Sequence, residues 1–355
     1  MKRITFIGGI GKENEFGGEL LKNKIIVARM KGIGYHVNII DTYKSHHSLY
    51  KGIIVTARII QSLLFRRKDV FILSTSFGNI YGLIKITHYL PSRYDIVNWV
   101  IGSSLNKRVK SNSVNVNFLS HIRMHVVEAE CMKKELMDSL GITNIKVAYN
   151  FRTINPLPEI LKNEDGKIHF LFFSRITPSK GVDIILSAVS ILNKDGYEFK
   201  YDIDFYGEIE PEFEQEFSDS INNNKNLKYC KTIQLWERKN YDVLAKYHYM
   251  LFPTYWHGEG FPGAIIDSYI AGVPIIASNW GYISEFIEDG KTGKVIPSQN
   301  VEALVKVMKD AIEGRMNCLE MSRLCQRKAQ EFDTKSVLSD TLLHEIGGSV
   351  DESVY

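Results

Sequence analysis

The stretch that decides the fold is LFPTYWHGEGFPGAIIDSYIAGVPIIAS, residues 251–278. It opens with an apolar run that predicts a buried strand ending at Pro253, and the turn-forming sequence GEGFPG leads into a helix that begins near Gly263. The sequence AGVP, residues 271–274, then ends the helix and starts a second apolar run. A strand, a helix and another strand in this order predict a βαβ unit with parallel strands.

The same alternation runs along the whole chain in two series. Strand candidates are Ile4–Gly8, Val37–Ile40, Val70–Ser74, Ile96–Ile101, Val114–Leu119, Ile145–Ala148, Ile168–Phe173, Asp202–Tyr206, Tyr249–Pro253 and Pro274–Ala277. Between the two series, residues 150–166 interrupt the rhythm with two prolines followed by acidic and turn residues. The sequence therefore predicts an α/β fold with two doubly wound, Rossmann-like parallel sheets, in domains at residues 1–155 and 156–334.

We expect the two domains to face each other across a cleft, because parallel sheets bind ligands beyond the carboxyl ends of their strands. A helix at about residues 335–346 can pack back on the first domain. The tail, residues 347–355, is expected to be disordered because it lacks periodic apolar residues.

Length and composition exclude several classes of protein. The chain has 355 residues, of which 44% are hydrophobic and 24% charged, which argues against a disordered or collagen-like chain. The four cysteines are scattered without a CxxC pair, so neither a disulfide framework nor a zinc site is expected, and a cytoplasmic location fits best. The apolar segment Gly52–Phe65 is shorter than the roughly 20 residues that span a bilayer.

The net charge of +3 hides an uneven distribution. Residues 1–155 hold 23 Lys and Arg against 10 Asp and Glu, whereas the rest of the chain holds 21 against 31. Basic clusters at 66–68 and 107–110, beside the apolar segment 52–65, suit an anionic membrane surface or a lipid diphosphate. The alternative is that residues 52–65 form an ordinary helix packed on a core. The sequence carries no recognised nucleic-acid-binding motif, so a nucleic-acid partner is not expected.

Acidic residues in and after the GEGFPG loop are the strongest candidates for a site. Glu259 lies in the loop, where it can reach a ligand, and Asp267 lies about one turn into the helix, where it can accept hydrogen bonds from a ribose diol. The free backbone amides around Phe261, Gly263 and Ala264 attract an anion at the helix start, and Gly260 and Pro262 belong to the same ligand-facing segment. Alternatively, Glu259 is a solvated loop acid and Asp267 a favourable first-turn charge.

Two other loops carry candidates for phosphate binding. Arg175 and Lys180 stand five residues apart around a helix start, where a planar guanidinium and a mobile ammonium can clamp a diphosphate. Two solvated loop charges are the alternative. In the first domain, Gly17 and Gly18 precede a helix, where glycines let a phosphate approach backbone amides, although the pair also fits a flexible loop.

Three further patterns carry little weight. In GGIGKEN, residues 8–14, Asn14 stands where a dinucleotide fingerprint needs its third glycine. The DID sequence at 202–204 resembles a metal-binding DXD motif but lies inside a strand, and the adjacent His46 and His47 have no metal-ligand spacing. We therefore expect no metal site and no cofactor.

Taken together, the motifs resemble a retaining glycosyltransferase of the GT-B fold, similar to glycosyltransferase family 4. The matching motifs are the Gly17-Gly18 loop, VVEAECMKKEL (126–136), Asn150, FFSRITPSKGVDIIL (172–186), FYGE (205–208) and the stretch from residue 251 to GKTGKVIP at 290–297. The last stretch is the most specific, since the family carries an acid, seven residues and a second acid, which are Glu259 and Asp267 here. The second acid is usually Glu, so Asp267 departs from the pattern by one methylene group.

The resemblance implies roles for the candidate residues. Arg175 and Lys180 would hold the diphosphate of a nucleotide-sugar donor, Glu259 with the amides of 260–264 would face the transferred sugar, and Asp267 would bind the ribose. Such enzymes typically need no divalent metal, because basic groups and a helix start neutralise the departing nucleotide diphosphate.

Two more implications concern the first domain. Gly17 and Gly18 would close over the donor phosphates. Many family members have a histidine after a strand of this domain, where the present chain has Ile101-Gly102. If the leaving phosphate takes the acceptor's proton, no side-chain base is required, and we name none.

The resemblance implies sugar transfer, with retention of configuration, onto a glycan or a polyprenyl-diphosphate-linked acceptor in bacterial surface polysaccharide synthesis. The basic first half would then face the acceptor, with peripheral contact at the inner face of the plasma membrane. The alternatives are a nucleotide-sugar epimerase or soluble-acceptor enzyme of the same fold, and a non-catalytic subunit that binds nucleotide-sugar or a partner.

Overall fold

The computed structural model describes residues 2–12, 15, 17–45, 48–90, 93–154, 156–233, 235 and 238–348, with the backbone alone at 238 and 239. The chain divides into two compact units, one of residues 1–150 with 334–355 and the other of residues 151–333. Each unit is built around a six-stranded parallel sheet. The predicted α/β class, with two doubly wound parallel sheets, is therefore confirmed.

The sheet of the first unit has the strand order β2-β1-β3-β4-β5-β6. Its strands are β1 (Arg3–Gly8), β2 (His36–Asp41), β3 (Val70–Ser74), β4 (Asp95–Trp99), β5 (Met124–Val127) and β6 (Ile145–Val147). Its helices are α1 (Gly18–Gly32), α2 (Leu49–Phe65), α3 (Phe77–Tyr89), α4 (Ser104–Lys110), α5 (Glu130–Leu140), α12 (Thr334–Val337) and α13 (Asp340–Gly347). Strand β3 is buried at every residue, as a central parallel strand requires.

Helix α13 packs within the first unit although it follows the second unit in sequence. Arg29 forms an ion pair with Asp340 (2.7 Å), and Arg123 donates a hydrogen bond from Nη1 to the carbonyl of Glu345 (2.8 Å). Ser339 caps the helix, because its side chain accepts a hydrogen bond from the amide of Leu342. Of the predicted disordered tail, Gly347 ends this helix and Gly348 is described, whereas residues 349–355 lie outside the described residues.

The sheet of the second unit has the strand order β12-β11-β10-β7-β8-β9. Its strands are β7 (Ile168–Phe173), β8 (Tyr201–Tyr206), β9 (Leu227–Tyr229), β10 (Tyr249–Phe252), β11 (Ile275–Asn279) and β12 (Gly293–Pro297). Its helices are α6 (Val182–Lys194), α7 (Glu214–Asn223), α8 (Arg238–Leu244), α9 (Gly263–Ile270), α10 (Val301–Ile312) and α11 (Cys318–Ala329). Fully buried aromatic rings fill its core, among them Phe170, Phe172, Tyr201, Phe205 and Tyr249.

One predicted strand is wrong. Residues Val114–Leu119 contain a short 3-10 helix, Val116–Phe118, instead of a strand. The side chain of Asn115 accepts a hydrogen bond from the amide of Asn117, so a local bond competes with strand pairing. The strand at this position in the sheet is β5, which begins at Met124.

No helix in the described ranges is both long and apolar enough to cross a bilayer.

Candidate functional site

The candidate basic residues lie at the carboxyl edge of the second sheet. Arg175 follows β7, and Lys180 ends a short 3-10 helix, Pro178–Lys180, that leads into α6. Gly181 comes next with φ of +86°, and a Cβ at this position would lie 2.3 Å from the carbonyl oxygen of Pro253. Only glycine fits this close approach, which brings the loop after β7 against the end of β10.

This approach places Lys180 beside Glu259. The ammonium of Lys180 forms an ion pair with Oε1 of Glu259, and both residues are 7% exposed. The Oγ1 of Thr254 lies 3.3 Å from the same carboxylate oxygen. Lys180 and Glu259, which are 79 positions apart in the sequence, thus form a buried ion pair. Removing either partner alone would leave an uncompensated buried charge, which is costly in free energy.

Trp256 completes this group, and the sequence analysis did not identify it. The guanidinium carbon of Arg175 lies 5.2 Å from the centroid of the indole, and Nζ of Lys180 lies 5.9 Å from it. Both distances fall in the range of cation–π contacts. The indole of Trp280 in turn donates a hydrogen bond to the carbonyl of Trp256 (2.9 Å). The sequence does contain a pattern that could have identified Trp256, namely an aromatic residue three positions before Glu259 in a loop that follows a buried strand.

The start of α9 offers backbone amides without a side-chain cap. Pro262 is the N-cap and its side chain accepts no hydrogen bond, so the amides of Gly263 and Ala264 stand at an uncapped helix start. Gly260 is buried in the loop before it. The ring of Phe261 stacks on Phe286 with centroids 3.6 Å apart, so its side chain belongs to the core. Only its backbone can take part in a ligand site.

Asp267 lies in a network of hydrogen bonds with other protein groups, and its predicted ribose contact stays a prediction. Its two carboxylate oxygens accept hydrogen bonds from Nε and Nη2 of Arg152, at 2.8 and 3.0 Å, and the Tyr241 hydroxyl donates to Oδ1 at 2.8 Å. Burial, followed by the charge of Asp267, holds the pKa of Tyr241 far above its usual range. These three bonds use both acceptor positions of Oδ1 and one position of Oδ2, so any ribose contact would share the carboxylate with Arg152 and Tyr241.

Arg152 explains this arrangement, and sequence reasoning missed it. Its guanidinium lies against the start of α9, where a Cβ on Gly263 would come 1.9 Å from Nη2. A side chain at residue 263 would therefore collide with the Arg152–Asp267 pair. No signal in the sequence joins these residues, because Arg152 and Asp267 are 115 positions apart.

Gly17 and Gly18 lie in the first unit, at the start of α1. Gly17 is the N-cap of α1 and Gly18 its first residue. A Cβ on Gly18 would meet no atom of the described chain within 4 Å, and one on Gly17 would meet only Leu20, at 3.9 Å. Packing within the described chain therefore does not require glycine at either position.

The loop after β1 has its own anionic partner. Oδ1 and Oδ2 of Asp41 accept hydrogen bonds from the amides of Ile10 (2.8 Å) and Gly11 (3.1 Å). The amides of Ile10 and Gly11 thus already have a carboxylate partner within the protein. Asn14 itself lies outside the described residues.

A buried polar pair, also missed from the sequence, lies near the carboxyl edge of the first sheet. Lys22 of α1 forms an ion pair with Glu128, which follows β5, at 2.6 Å, and both residues are buried. The Nζ of Lys22 lies 5.7 Å from the ring of Trp99 at the end of β4. Ile101 and Gly102, where the resemblance expects a histidine, follow in the next loop.

Both aspartates of the DXD-like sequence accept hydrogen bonds from protein side chains. Asp202 accepts a hydrogen bond from Lys167 (3.0 Å), and Asp204 accepts one from the hydroxyl of Tyr247 (2.5 Å). Asp202 also belongs, with Asp165 and His169, to a group whose geometry could hold a cation. This group lies at the amino ends of β7 and β8, opposite to the edge that carries Arg175. The pair His46 and His47 lies outside the described residues.

A family model described as "Glycosyl transferases group 1" matches residues 154–332, half of the chain. Poly(ribitol-phosphate) alpha-N-acetylglucosaminyltransferase of Staphylococcus aureus is 20% identical over 291 residues, which are 80% of this chain and 56% of that protein. Amylovoran biosynthesis glycosyltransferase AmsK of Erwinia amylovora is 24% identical over 207 residues, 55% of this chain and 49% of the relative. The chain thus spans about half the length of these two relatives.

Solved structures show the same fold. The crystal structure of Anabaena HepE in complex with UDP superposes with a TM-score of 0.71 and 16% identity, covering 96% of this chain and 99% of HepE. Likeness at this level of identity shows the fold, which is the predicted GT-B architecture.

Proposed function

The chain belongs to the group 1 glycosyl transferases, and we propose that it transfers a sugar from a nucleotide diphosphate-sugar to a glycan or lipid-linked glycan acceptor. We further propose that it acts as a family 4 enzyme, with retention of configuration and without a divalent metal. The observation that carries the proposal is the group formed by Arg175, Lys180, Glu259 and Trp256 within the matched region.

The geometry supports separate roles for the basic residues and for Glu259 in donor binding. Arg175 and Lys180 supply two positive charges at the carboxyl edge of the sheet, and the uncapped start of α9, which follows β10, adds partial positive charge at the same edge. These groups suit the diphosphate of the donor and the charge that develops on it as the sugar leaves. Lys180 is paired with Glu259 in the structure, and we propose that the diphosphate replaces Glu259 as its partner. The freed carboxylate can then accept hydrogen bonds from the sugar hydroxyls.

The proposed setting is bacterial surface polysaccharide synthesis. Its support is that one relative is named for amylovoran biosynthesis and another for sugar transfer to poly(ribitol-phosphate). We propose that the acceptor is held at an anionic membrane surface. The first 155 residues, which contain 23 basic and 10 acidic side chains, would suit such a surface. The HepE complex makes UDP the first nucleotide to test.

Donor binding is tested by the melting temperature of the protein with UDP, GDP, dTDP and their sugars, each with and without EDTA. We expect one nucleotide series to raise the melting temperature equally in both conditions, since a bound ligand stabilises the folded state. Stabilisation that EDTA abolishes would contradict metal independence. Loss of stabilisation in Arg175→Ala, with Lys231→Ala as a control at an exposed position, would support the diphosphate clamp.

Sugar transfer is tested by product formation with the stabilising donor and a lipid-linked or soluble glycan acceptor. Glu259→Gln removes the charge of the carboxylate at nearly constant shape, and we expect at least a hundredfold loss of kcat. The anomeric configuration of the product, read by NMR, tests retention. Conversion of the donor sugar without acceptor would indicate an epimerase, and donor binding without any turnover would indicate a binding subunit.

A further inference from the structure

Helix α2, Leu49–Phe65, exposes most of its apolar side chains. Leu49 is 85% exposed and Phe65 is 78% exposed, and only Ser62 and Leu63 of the helix are buried. The other exposed large hydrophobic residues of the helix are Tyr50, Ile53, Ile54, Ile60 and Leu64. The alternative raised by the sequence, an ordinary helix packed on a core, is therefore wrong.

These residues form part of a larger exposed surface. Of the 17 large hydrophobic side chains that are exposed in the described ranges, ten lie between residues 49 and 90. They include Ile86, Tyr89 and Leu90 at the end of α3. The first turns of α2 also line an open groove of about 650 Å³, with Leu49, Ile53 and Ile60 in its wall. Exposed apolar side chains at this density mark an interaction surface.

The charges around this surface are of one sign. Residues 42–94 contain eight Lys and Arg and a single acid, Asp69. Asp69 is fully buried, where its carboxylate accepts a hydrogen bond from Thr5 and lies near the guanidinium groups of Arg3 and Arg66. The segment therefore presents cations and apolar side chains without an exposed carboxylate, which matches the headgroups and acyl chains of an anionic lipid layer.

The same charges argue against a second copy of the chain as the partner. A symmetric dimer through α2 would bring together two surfaces that both carry basic residues, among them Lys51 and Arg58, and no exposed carboxylate to pair with them. The helix is also too short to cross a bilayer, with 17 residues where about 20 are needed.

We infer that α2 lies in the surface of an anionic bilayer, with its apolar side chains among the acyl chains and the basic residues at 51, 58 and 66–68 near the headgroups. The inference deepens the proposed membrane contact, and it rests on the proposed function only for the acceptor that the membrane would present. The lipid contact itself does not depend on sugar transfer.

The test is flotation of the full chain with vesicles of phosphatidylglycerol and phosphatidylcholine in equal parts, and of phosphatidylcholine alone, at low and high salt. The variant I53E/I60E places two carboxylates on the exposed surface of α2. The matched control is Phe199→Glu, because Phe199 is similarly exposed in the other unit. Circular dichroism and the melting temperature establish that each variant is folded.

We expect the wild type and F199E to float with the anionic vesicles at low salt, and I53E/I60E to bind at least about tenfold more weakly. Absence of wild-type binding, or equal binding of I53E/I60E, would overturn the inference. So would self-association, measured by sedimentation velocity, that I53E/I60E abolishes while no form binds lipid. Nucleotide stabilisation of I53E/I60E should equal that of the wild type, which separates a failure of this inference from a failure of the proposed function.

Discussion

At the scale of single residues, Arg152 and Asp267 form a buried ion pair within the second unit. Both side chains are largely buried and joined by two hydrogen bonds, and Tyr241 binds the same carboxylate. Breaking a buried ion pair from one side leaves an uncompensated charge, which costs more than removing both partners. We therefore expect Arg152→Met to lower the free energy of unfolding by about 3–5 kcal/mol.

The double variant R152M/D267L tests this explanation in urea unfolding experiments. It should cost clearly less than the sum of the two single variants, because it leaves no unpaired charge. Lys309→Met is the control, since its ion pair with Asp195 is more exposed and should contribute less than about 1 kcal/mol. Additive single effects would contradict the role assigned to the pair.

The glycines at the two predicted phosphate loops are expected to behave differently. Gly181 has φ of +86° and no room for a Cβ beside Pro253, so Gly181→Ala should cost at least about 1–2 kcal/mol of unfolding free energy. Gly18 has open space around it and begins a helix, so Gly18→Ala should leave the melting temperature unchanged or slightly higher.

If Gly18 lets a donor phosphate approach the backbone, Gly18→Ala should still weaken nucleotide binding by about tenfold, which corresponds to 1.4 kcal/mol. Calorimetric titration with the stabilising nucleotide measures this change. Gly32→Ala, in the last turn of the same helix and equally open, is the matched control and should bind normally. Unchanged affinity in Gly18→Ala would remove Gly18 from the site.

The sequence was informative about residues whose place depends on a strand end. Arg175, Lys180 and Glu259 each follow an apolar run, and the carboxyl ends of parallel strands meet at one sheet edge. Arg152 was missed because its position depends on packing against residues more than one hundred positions away. The same limit applies to Asp267, since a short motif does not show that Arg152 and Tyr241 bind its carboxylate.

At the scale of elements, strand prediction succeeded for most of the fully buried apolar runs, but it missed the fully buried β5 and failed where local bonds compete. Strands β3 and β10, buried at every residue, read as continuous apolar runs. The alternating sequence VNVNFL at 114–119 has the same period as a half-buried strand, but its asparagines favour a turn. Strands β9 and β12 were also missed, and the three residues of β9 carry too little pattern to be predicted.

The burial of His125 in β5 predicts that the first unit is sensitive to acid. His125 of β5 is opposite Asn98 of β4 and fully buried, and burial lowers the pKa of its imidazole to about 4. Because this pKa lies below the unfolded value of about 6.5, the neutral ring stabilises the fold fully above pH 6.5. That contribution is lost as the pH falls from 6.5 toward 4, with a slope that approaches about 1.4 kcal/mol per pH unit.

Urea unfolding between pH 7.5 and pH 4.5 measures this slope. His125→Gln should flatten the dependence of the unfolding free energy on pH, even if the variant is less stable overall. His36→Gln changes an exposed histidine at the start of β2 and should leave the slope unchanged. An unchanged slope in His125→Gln would show that other groups govern the acid response.

At the scale of the whole molecule, the structure shows which part of the basic first half combines positive charge with exposed apolar side chains. The sequence showed a basic first half but not which part of its surface carries the excess. The structure places a single, buried acid in residues 42–94, beside most of the exposed apolar side chains. Composition alone could not show this, because the apolar period of α2 would equally suit a helix packed on a core.

The order of the chain also bears on how the first unit is held together. Residues 334–348 follow the second unit in sequence, yet their buried side chains Leu338, Leu343 and Ile346 belong to the first. Burying an aliphatic side chain contributes about 1.5–3 kcal/mol, so three of them amount to a large share of the 5–15 kcal/mol that stabilises a typical domain. We expect a chain that ends at Asp333 to lose the cooperative unfolding transition of the first unit.

Calorimetry and limited proteolysis measure this loss. Cleavage should concentrate within residues 1–150 of the truncated chain and spare 151–333, because the second unit keeps its own core. A chain that lacks only residues 349–355 is the control and should unfold as the full chain does. If the chain ending at Asp333 retained both transitions, the sheet and helices α1–α5 would be sufficient for the first unit to fold. The hydrogen bonds of Arg29 and Arg123 to the last helix would then contribute little to the free energy of unfolding.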